Sequence, residues 1–386
     1  MIFKYDQVAP VIFGAGSISH LGEQAKALGC KTVMCVCDEG IKNAGIAAKV
    51  ESILTEAGLS CIVFDRVLPD PPATVIDEAV ALALEAKIDG VVGVGGGSSM
   101  DAAKAVALMI DRPGTIRDYL QELPLHLVSG IPIIMIPTTS GTGAESTDVC
   151  VITNEEVNSK MVVYIRPSVS IVDPELVRDL PPLLTAYAGF DAYSHALESI
   201  TIKEEKRNLH SEVLALAAIE RIVKYLPAAC KNGADMEARS EMSFASNLVG
   251  PAFADTGLHV GHAMTEIIAV DYRTPHGLNC AWVSPVVIEF VSSAVPEKVK
   301  LVGKAMGLDF GPDEAPAAVG EKTANALRAL MKECAIKSPA EMGVDRDAFI
   351  ASSKDVMHTG MRRSSPIEVT EEIAARLMAL VYDQFA

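Results

Sequence analysis

The chain has 386 residues, 33 basic against 50 acidic side chains for a formal charge of −17, and 49% hydrophobic residues. At roughly 150 residues per domain the length predicts two domains, and the composition excludes wholesale disorder. The acidic balance argues against nucleic acid and against an anionic membrane surface as partners.

Residues 11–13 read as a strand leading into Gly14-Ala15-Gly16, after which Ile18, Leu21, Ala25 and Leu28 recur at helical spacing. Residues 32–37 form a second strand and 44–57 a helix. Residues 61–64 are a strand and 74–86 a helix. Residues 91–94 run as a strand into Gly95-Gly96-Gly97 and a helix over 98–109, and 131–136 is a further buried strand. This alternation predicts a parallel sheet covered on both faces. After Asp173-Pro174 and Pro181-Pro182 the texture becomes helical, over 185–198, 211–225, 237–248, 296–305, 317–331 and 370–385. The expected domains are therefore an α/β nucleotide-binding unit over 1–180 and an all-helical unit over 181–386, packed with a cleft between them.

No run approaches the about 18 uninterrupted apolar residues that span a bilayer. The segment MIFKYDQVAPVIFGAG has no basic region followed by a long apolar one, so a cytoplasmic protein is expected. The eight cysteines are scattered without a C-x-x-C and read as reduced, packed thiols.

Several segments carry chemistry. Gly14-Ala15-Gly16-Ser17-Ile18-Ser19 has Ser19 where a dinucleotide fingerprint has its third glycine, so it reads either as a nucleotide contact or as a plain strand–helix turn. Gly95-Gly96-Gly97-Ser98-Ser99-Met100-Asp101 follows an apolar strand and opens a helix, where free amides and absent side chains suit a diphosphate. The plainer alternative is a tight turn capped by Ser98. Pro137-Thr138-Thr139-Ser140-Gly141-Thr142-Gly143 ends the strand over 131–136, a position that suits a ligand crevice. Asp38 closes the second strand, where a carboxylate accepts ribose hydroxyls and repels a 2′-phosphate, or serves as a cap.

In the second half, Asp191 and His195 stand i, i+4 and share one helix face. His259 and His262 follow, and then His276 in Pro275-His276-Gly277. One carboxylate with imidazoles is a ligand set for a divalent transition metal.

Together, GGGSSMDAAKA (95–105), IPTTSGTGAES (136–146), VDPEL (172–176), GFDAYSHALE (189–198) and the stretch from Gly257 through His276 resemble the iron-containing (group III) alcohol dehydrogenase family. The resemblance implies a Rossmann-like N-terminal domain and an all-α C-terminal domain, the dehydroquinate synthase-like arrangement, with a metal facing a nicotinamide cofactor. It implies Asp191, His195, His262 and His276 as metal ligands, with Fe²⁺ favoured and Zn²⁺ as the alternative. It places NAD on Gly96, Gly97 and Ser98, on Thr138, Thr139, Thr142, Thr147 and Lys160, and on Asp38 and Asp70, the last at a position where the family often carries Asn. It also implies a homo-oligomer.

Two positions depart from the family pattern. Glu266 replaces a histidine associated with proton relay, and His259 occupies a frequent glycine. Glu266, one turn after His262, is expected to relay a proton or to select a polar substrate, unless it is a solvent-facing carboxylate. With His276 it makes up the expected catalytic pair, and His259 is not counted as a ligand. The expected activity is reversible NAD(H)-linked oxidation of a small alcohol to an aldehyde or ketone. The alternatives are a polar-substrate relative (maleylacetate reductase, glycerol dehydrogenase or hydroxyacid–oxoacid transhydrogenase), a dehydroquinate synthase-like lyase, or a nucleotide-binding protein without turnover.

Overall fold

A computed structural model describes residues 3, 5, 7–121, 123–157 and 159–385. The chain divides into two compact units: Asp6–Thr139 with Gly143–Arg178, and Asp179–Ala386 with Met1–Tyr5 and Ser140–Thr142.

The first unit is built on strands β1 (Val11–Phe13), β2 (Thr32–Val36), β3 (Ser60–Phe64), β4 (Gly90–Gly95), β5 (His126–Leu127), β6 (Ile133–Pro137), β7 (Val149–Asn154), β8 (Ser159–Ile165) and β9 (Val169–Val172). Helices α1 (Leu21–Ala27), α2 (Glu39–Asn43), α3 (Ile46–Glu56), α4 (Ala73–Ala86) and α5 (Gly97–Met109) are set among them. Six strands pair in the order β1-β9-β6-β4-β2-β3, every pair parallel. The pleat explains the apolar runs. Met34, Val36, Val91 and Met135 pack in one core with residues of α4 and α5, while Val33, Cys35, Val92, Val94 and Ile134 pack in another with residues of α1 and α3. Both faces are covered, so the strands are apolar without interruption. β3 and β4 lie on opposite sides of β2, so the winding reverses there, and the carboxyl ends of strands at such a point form a ligand crevice.

A three-stranded sheet, β5-β8-β7, was not foreseen from the sequence; β7 and β8 form an antiparallel pair on either side of residues 155–158. β6 begins at Ile133, two residues after the expected start.

The second unit contains α6 (Pro182–Thr201), α7 (Leu209–Lys231), α8 (Met236–Thr256), α9 (Val260–Tyr272), α10 (His276–Ser292), α11 (Pro296–Ala305), α12 (Pro316–Glu333), α13 (Arg346–Ala351), α14 (Ser353–Val356) and α15 (Glu371–Asp383). Among the described residues no strand follows β9. The helices enclose one core centred on Phe190, Tyr193, Trp282 and Ile288. α9 and α10 had no counterpart in the sequence reading. α10 is buried on nearly every side, so it carries no polar face to give it a period. No helix among the described residues is long and apolar enough to cross a membrane, and all eight cysteines are free thiols.

Candidate functional site

In the first unit, the two glycine-rich loops differ in kind. Gly16 N–H and Ile18 N–H donate to the two carboxylate oxygens of Asp173 at 3.0 and 3.1 Å. Asp173 is buried, so it occupies the amides that a phosphate would need, and this loop is a structural turn. The aspartate of the VDPEL segment thus has a role that its sequence position did not disclose.

The second loop is built on a glycine cap. Gly95 closes β4 at φ 147°, a conformation that favours glycine, and a Cβ there would meet Ser99 Oγ at 2.6 Å. Gly96, not Ser98, caps α5, and it brings no side chain to its helix's first amides. An amino end of this kind attracts an anion. Thr138 N–H donates to Gly95 O at 2.9 Å, which ties the loop after β6 to the loop after β4. Thr139 borders Gly96, and Thr142 falls in the second compact unit. Thr147 is buried with its hydroxyl accepting from Val149 N at 3.1 Å.

Asp38 serves as a cap. Its Oδ1 accepts from Ile41 N at 2.9 Å, capping α2, and its Oδ2 accepts from Ser99 Oγ at 3.3 Å. A carboxylate has about four acceptor positions, so capacity remains for a ribose. Asp70 sits at φ 50° with its amide donating to Ser98 Oγ at 3.2 Å. Lys160 Nζ meets Asp70 Oδ1 at 2.7 Å, so this lysine's charge is balanced on the spot.

The second unit supplies a cluster of donors. α6 presents Asp191, His195 and Glu198 along one side. α9 carries His262, and α10 opens with His276 and carries Cys280 one turn later. Asp191 Oδ1 lies 3.7 Å from His195 Nδ1, 3.9 Å from His262 Nε2 and 3.5 Å from His276 Nε2. Cys280 Sγ stands 3.5 Å from the same oxygen. Asp191, His262, His276 and Cys280 each bring a donor atom within 4.8 Å of all the others. His195 is outside that quartet, while its ring stacks on His262 at 4.6 Å and on Phe253 at 4.4 Å.

Small residues make this convergence possible. A Cβ at Gly277 would stand 2.1 Å from the Tyr187 carbonyl oxygen, so α10 reaches α6 only with glycine there. A Cβ at Gly261 would stand 2.4 Å from Glu198 Oε1.

Glu198 and Cys280 were not singled out from the sequence. Glu198 Oε1 accepts from His262 Nδ1 at 2.7 Å, and Oε2 accepts from His259 N–H at 2.6 Å. An ionised carboxylate only accepts, so Nδ1 of His262 bears the proton and Nε2 offers its lone pair when the ring is neutral. His259 is fully buried, its Nε2 3.0 Å from Thr201 Oγ1, and belongs to the packing behind the cluster. The signal for both missed residues was spacing: Glu198 lies three positions after His195, and Cys280 four after His276.

Charge in the cluster is concentrated. Burial would raise the Asp191 carboxyl, but the imidazoles of His195, His276 and His262 outweigh it and hold it well below the usual carboxylate range. Burial also opposes ionisation of Glu198, yet His259 and His262 hold it down at about 2. Burial and the neighbouring imidazoles push His195 down to about 3, leaving it neutral. His262 is raised well above its ordinary value, because Glu198 outweighs burial. Buried His195 Nδ1 and His262 Nε2 have no hydrogen-bond partner among the described residues. Orphaned imidazole nitrogens around an ionised carboxylate fit a divalent transition-metal ion. Glu266 lies on α9, half-buried and one turn beyond His262.

Residues 9–174 match the model of a family described as iron-containing alcohol dehydrogenase, and residues 185–381 match that of the Fe-containing alcohol dehydrogenase family, C-terminal. The choline dehydrogenase of Bacillus subtilis (strain 168) is 34% identical over 364 residues, 93% of this chain and 90% of that protein. The NAD-dependent methanol dehydrogenase of Bacillus methanolicus is 33% identical, with 95% of this chain and 96% of that protein covered. Among solved structures, a 1,3-propanediol oxidoreductase superposes with a TM-score of 0.93 at 31% identity, covering 99% of this chain and 100% of that one.

Proposed function

The chain belongs to the iron-containing alcohol dehydrogenase family, and we propose that Asp191, His195, His262 and His276 hold its metal. Its activity is metal-dependent, NAD-linked hydride transfer between an alcohol and an aldehyde or ketone. One observation carries the ligand assignment: a single oxygen, Asp191 Oδ1, has three imidazole nitrogens within 3.9 Å, two of them buried without a hydrogen-bond partner among the described residues. When bound, the ion supplies Lewis-acid charge to the oxygen of the alcohol–carbonyl pair, and the nicotinamide supplies the hydride acceptor or donor.

The rest falls to the chain. Glu198 fixes the tautomer and the orientation of His262 by holding the proton on Nδ1. Gly96, Gly97 and Ser98, at the amino end of α5, receive the diphosphate, with Thr138 and Thr139 beside them. Thr142, Thr147 and Lys160 complete the proposed cofactor contacts, and Asp70 orients Lys160. Asp38 takes the ribose and disfavours a 2′-phosphate. Oxidation of an alcohol yields a hydride and a hydroxyl proton. Glu266, at the position where the family often carries a histidine, accepts that proton, or else its charge selects a polar substrate. The relatives are named as alcohol dehydrogenases and a propanediol oxidoreductase and do not favour a lyase. A cytoplasmic homo-oligomer completes the proposal, and sedimentation of the purified chain tests its assembly.

The test is reconstitution of metal-stripped protein with Fe²⁺ or Zn²⁺, followed by NADH formation across a panel of alcohols. NADH should appear with at least one of the two ions and not in the stripped protein. Equal turnover with and without metal would exclude the proposed centre.

A further inference from the structure

We propose that Asn279 is a positioning residue for the metal centre: with Thr274 it fixes the angle at which the chain enters α10, and so places His276. This rests on the metal-site reading above and concerns how one of its ligands is held. Only Arg273, Thr274 and Pro275 separate α9 from α10. Arg273 turns the chain at φ 52°, and His276 is the first residue of α10. Pro275 caps that helix without a side chain able to accept from its first amides.

His276 differs from the other imidazoles in how it is held. Its side chain is 34% exposed, against 7% for His195 and 4% for His262. Glu198 orients His262 at the ring itself. Packing encloses His276 less, so its place near Asp191 depends on the backbone that carries it.

Thr274 lies one residue before the cap, and Asn279 is the fourth residue of the helix. Side chains at these two positions meet across the first turn, and an apolar pair there commonly sets the entry angle of the chain. Here the pair is polar. Thr274 Oγ1 donates to Asn279 Oδ1 at 2.7 Å, and Asn279 Nδ2 donates to the Thr274 carbonyl oxygen at 3.5 Å. The reverse orientation of the amide would set its oxygen against that carbonyl, so both bonds select the same one. Asn279 N–H donates to Pro275 O at 3.2 Å and closes the turn from the backbone side. Asn279 is fully buried and Thr274 nearly so. A buried amide is costly unless it is partnered, and here its partner is the turn that carries His276. Hydrogen bonds are directional, so the pair holds this turn to a narrower geometry than an apolar contact would. Loss of the Thr274 hydroxyl frees the turn and lets His276 Nε2 leave its place 3.5 Å from Asp191 Oδ1.

The experiment measures Zn²⁺ affinity of the full chain by chelator competition for the wild type, Thr274→Val, Thr274→Ser and Asn279→Ala, and repeats Thr274→Val in a His276→Ala background. Thr274→Val keeps the shape of the side chain and removes its hydroxyl, whereas Thr274→Ser keeps the hydroxyl. Affinity should fall about 10–100-fold in Thr274→Val and in Asn279→Ala, and stay at the wild-type value in Thr274→Ser. Thr274→Val should cause no further loss once His276 is gone. Wild-type affinity in Thr274→Val, equal losses in Thr274→Val and Thr274→Ser, or the same loss with and without His276 overturns the proposal and leaves the ligand set standing. Wild-type affinity in His276→Ala overturns the ligand reading itself. Crystal structures of metal-free Thr274→Val and wild type decide without any ion: a His276 ring displaced from Asp191 supports the proposal, and a ring in its wild-type place overturns it.

Discussion

Glu198 Oε1 stands 2.7 Å from His262 Nδ1, while the far nitrogen of the same ring is 3.9 Å from Asp191 Oδ1. The imidazole is held between two carboxylates, one fixing its tautomer and the other sharing its proposed ion. Glu198→Gln keeps the size of the side chain but can present an amide N–H to His262. Metal affinity, measured by chelator competition, should fall about 10–100-fold. Unchanged affinity in Glu198→Gln would remove Glu198 from the account.

Gly277→Ala tests the close approach of α10 to α6. The added methyl meets the Tyr187 backbone at 2.1 Å, and backbone cannot step aside as a side chain can. Overpacking of this kind costs about 1–3 kcal/mol or more, and here it also draws His276 away from Asp191. Thermal unfolding and metal content should drop together. A variant with wild-type stability and full metal would show that the approach tolerates a side chain.

Asp38→Ala tests cofactor choice. Removal of the carboxylate removes its repulsion of a 2′-phosphate, so the ratio of kcat/KM for NADP to that for NAD should rise by about tenfold or more, equivalent to about 1.4 kcal/mol. The same change removes the α2 cap at Ile41 N and should cost about 1 kcal/mol of stability. A lower Tm with an unaltered cofactor ratio would leave Asp38 with its cap alone.

Asp101 contributes to the pH dependence of stability away from the metal cluster. Asp101 is buried, and that burial, opposed by Lys104 and by the Val151 amide, raises its carboxyl from 3.8 to about 6. The folded state therefore binds this proton more tightly than the unfolded state. The group's stabilising contribution is complete below about pH 4 and is lost as pH rises through about 6, a span of roughly 3 kcal/mol at most. Asp101→Asn should flatten the stability–pH profile between those limits. An identical slope in variant and wild type would contradict the raised value.

Legibility in the sequence followed the range of the interactions. The glycine loop at 95–97, the Asp191–His195 pair and Pro275-His276-Gly277 are local patterns, and they stand at the start of α5, within α6 and at the start of α10. The Glu198–His262 contact spans 64 residues and Gly16–Asp173 spans 157, and no periodicity within a helix or strand encodes such pairings. Cys280 looked like any packed thiol because only the fold brings Asp191 to it. α9 and α10 escaped notice because their buried faces leave little amphipathic contrast.

Glu266 offers a narrower test. Glu266→Gln keeps its shape and removes its charge and its basicity. If it accepts the substrate proton, kcat should fall about 10²–10⁴-fold with KM little changed; if it selects a polar substrate, KM should change with kcat little altered. Wild-type values of both would assign Glu266 to the protein surface chemistry alone.

The central claim is that Asp191 anchors a catalytic metal. It is tested most directly by metal analysis and NAD-linked alcohol oxidation on Asp191→Ala and wild type prepared side by side. The account predicts that the variant loses bound metal and activity together while its fold is retained by circular dichroism. An Asp191→Ala protein with full metal content and full turnover would contradict it.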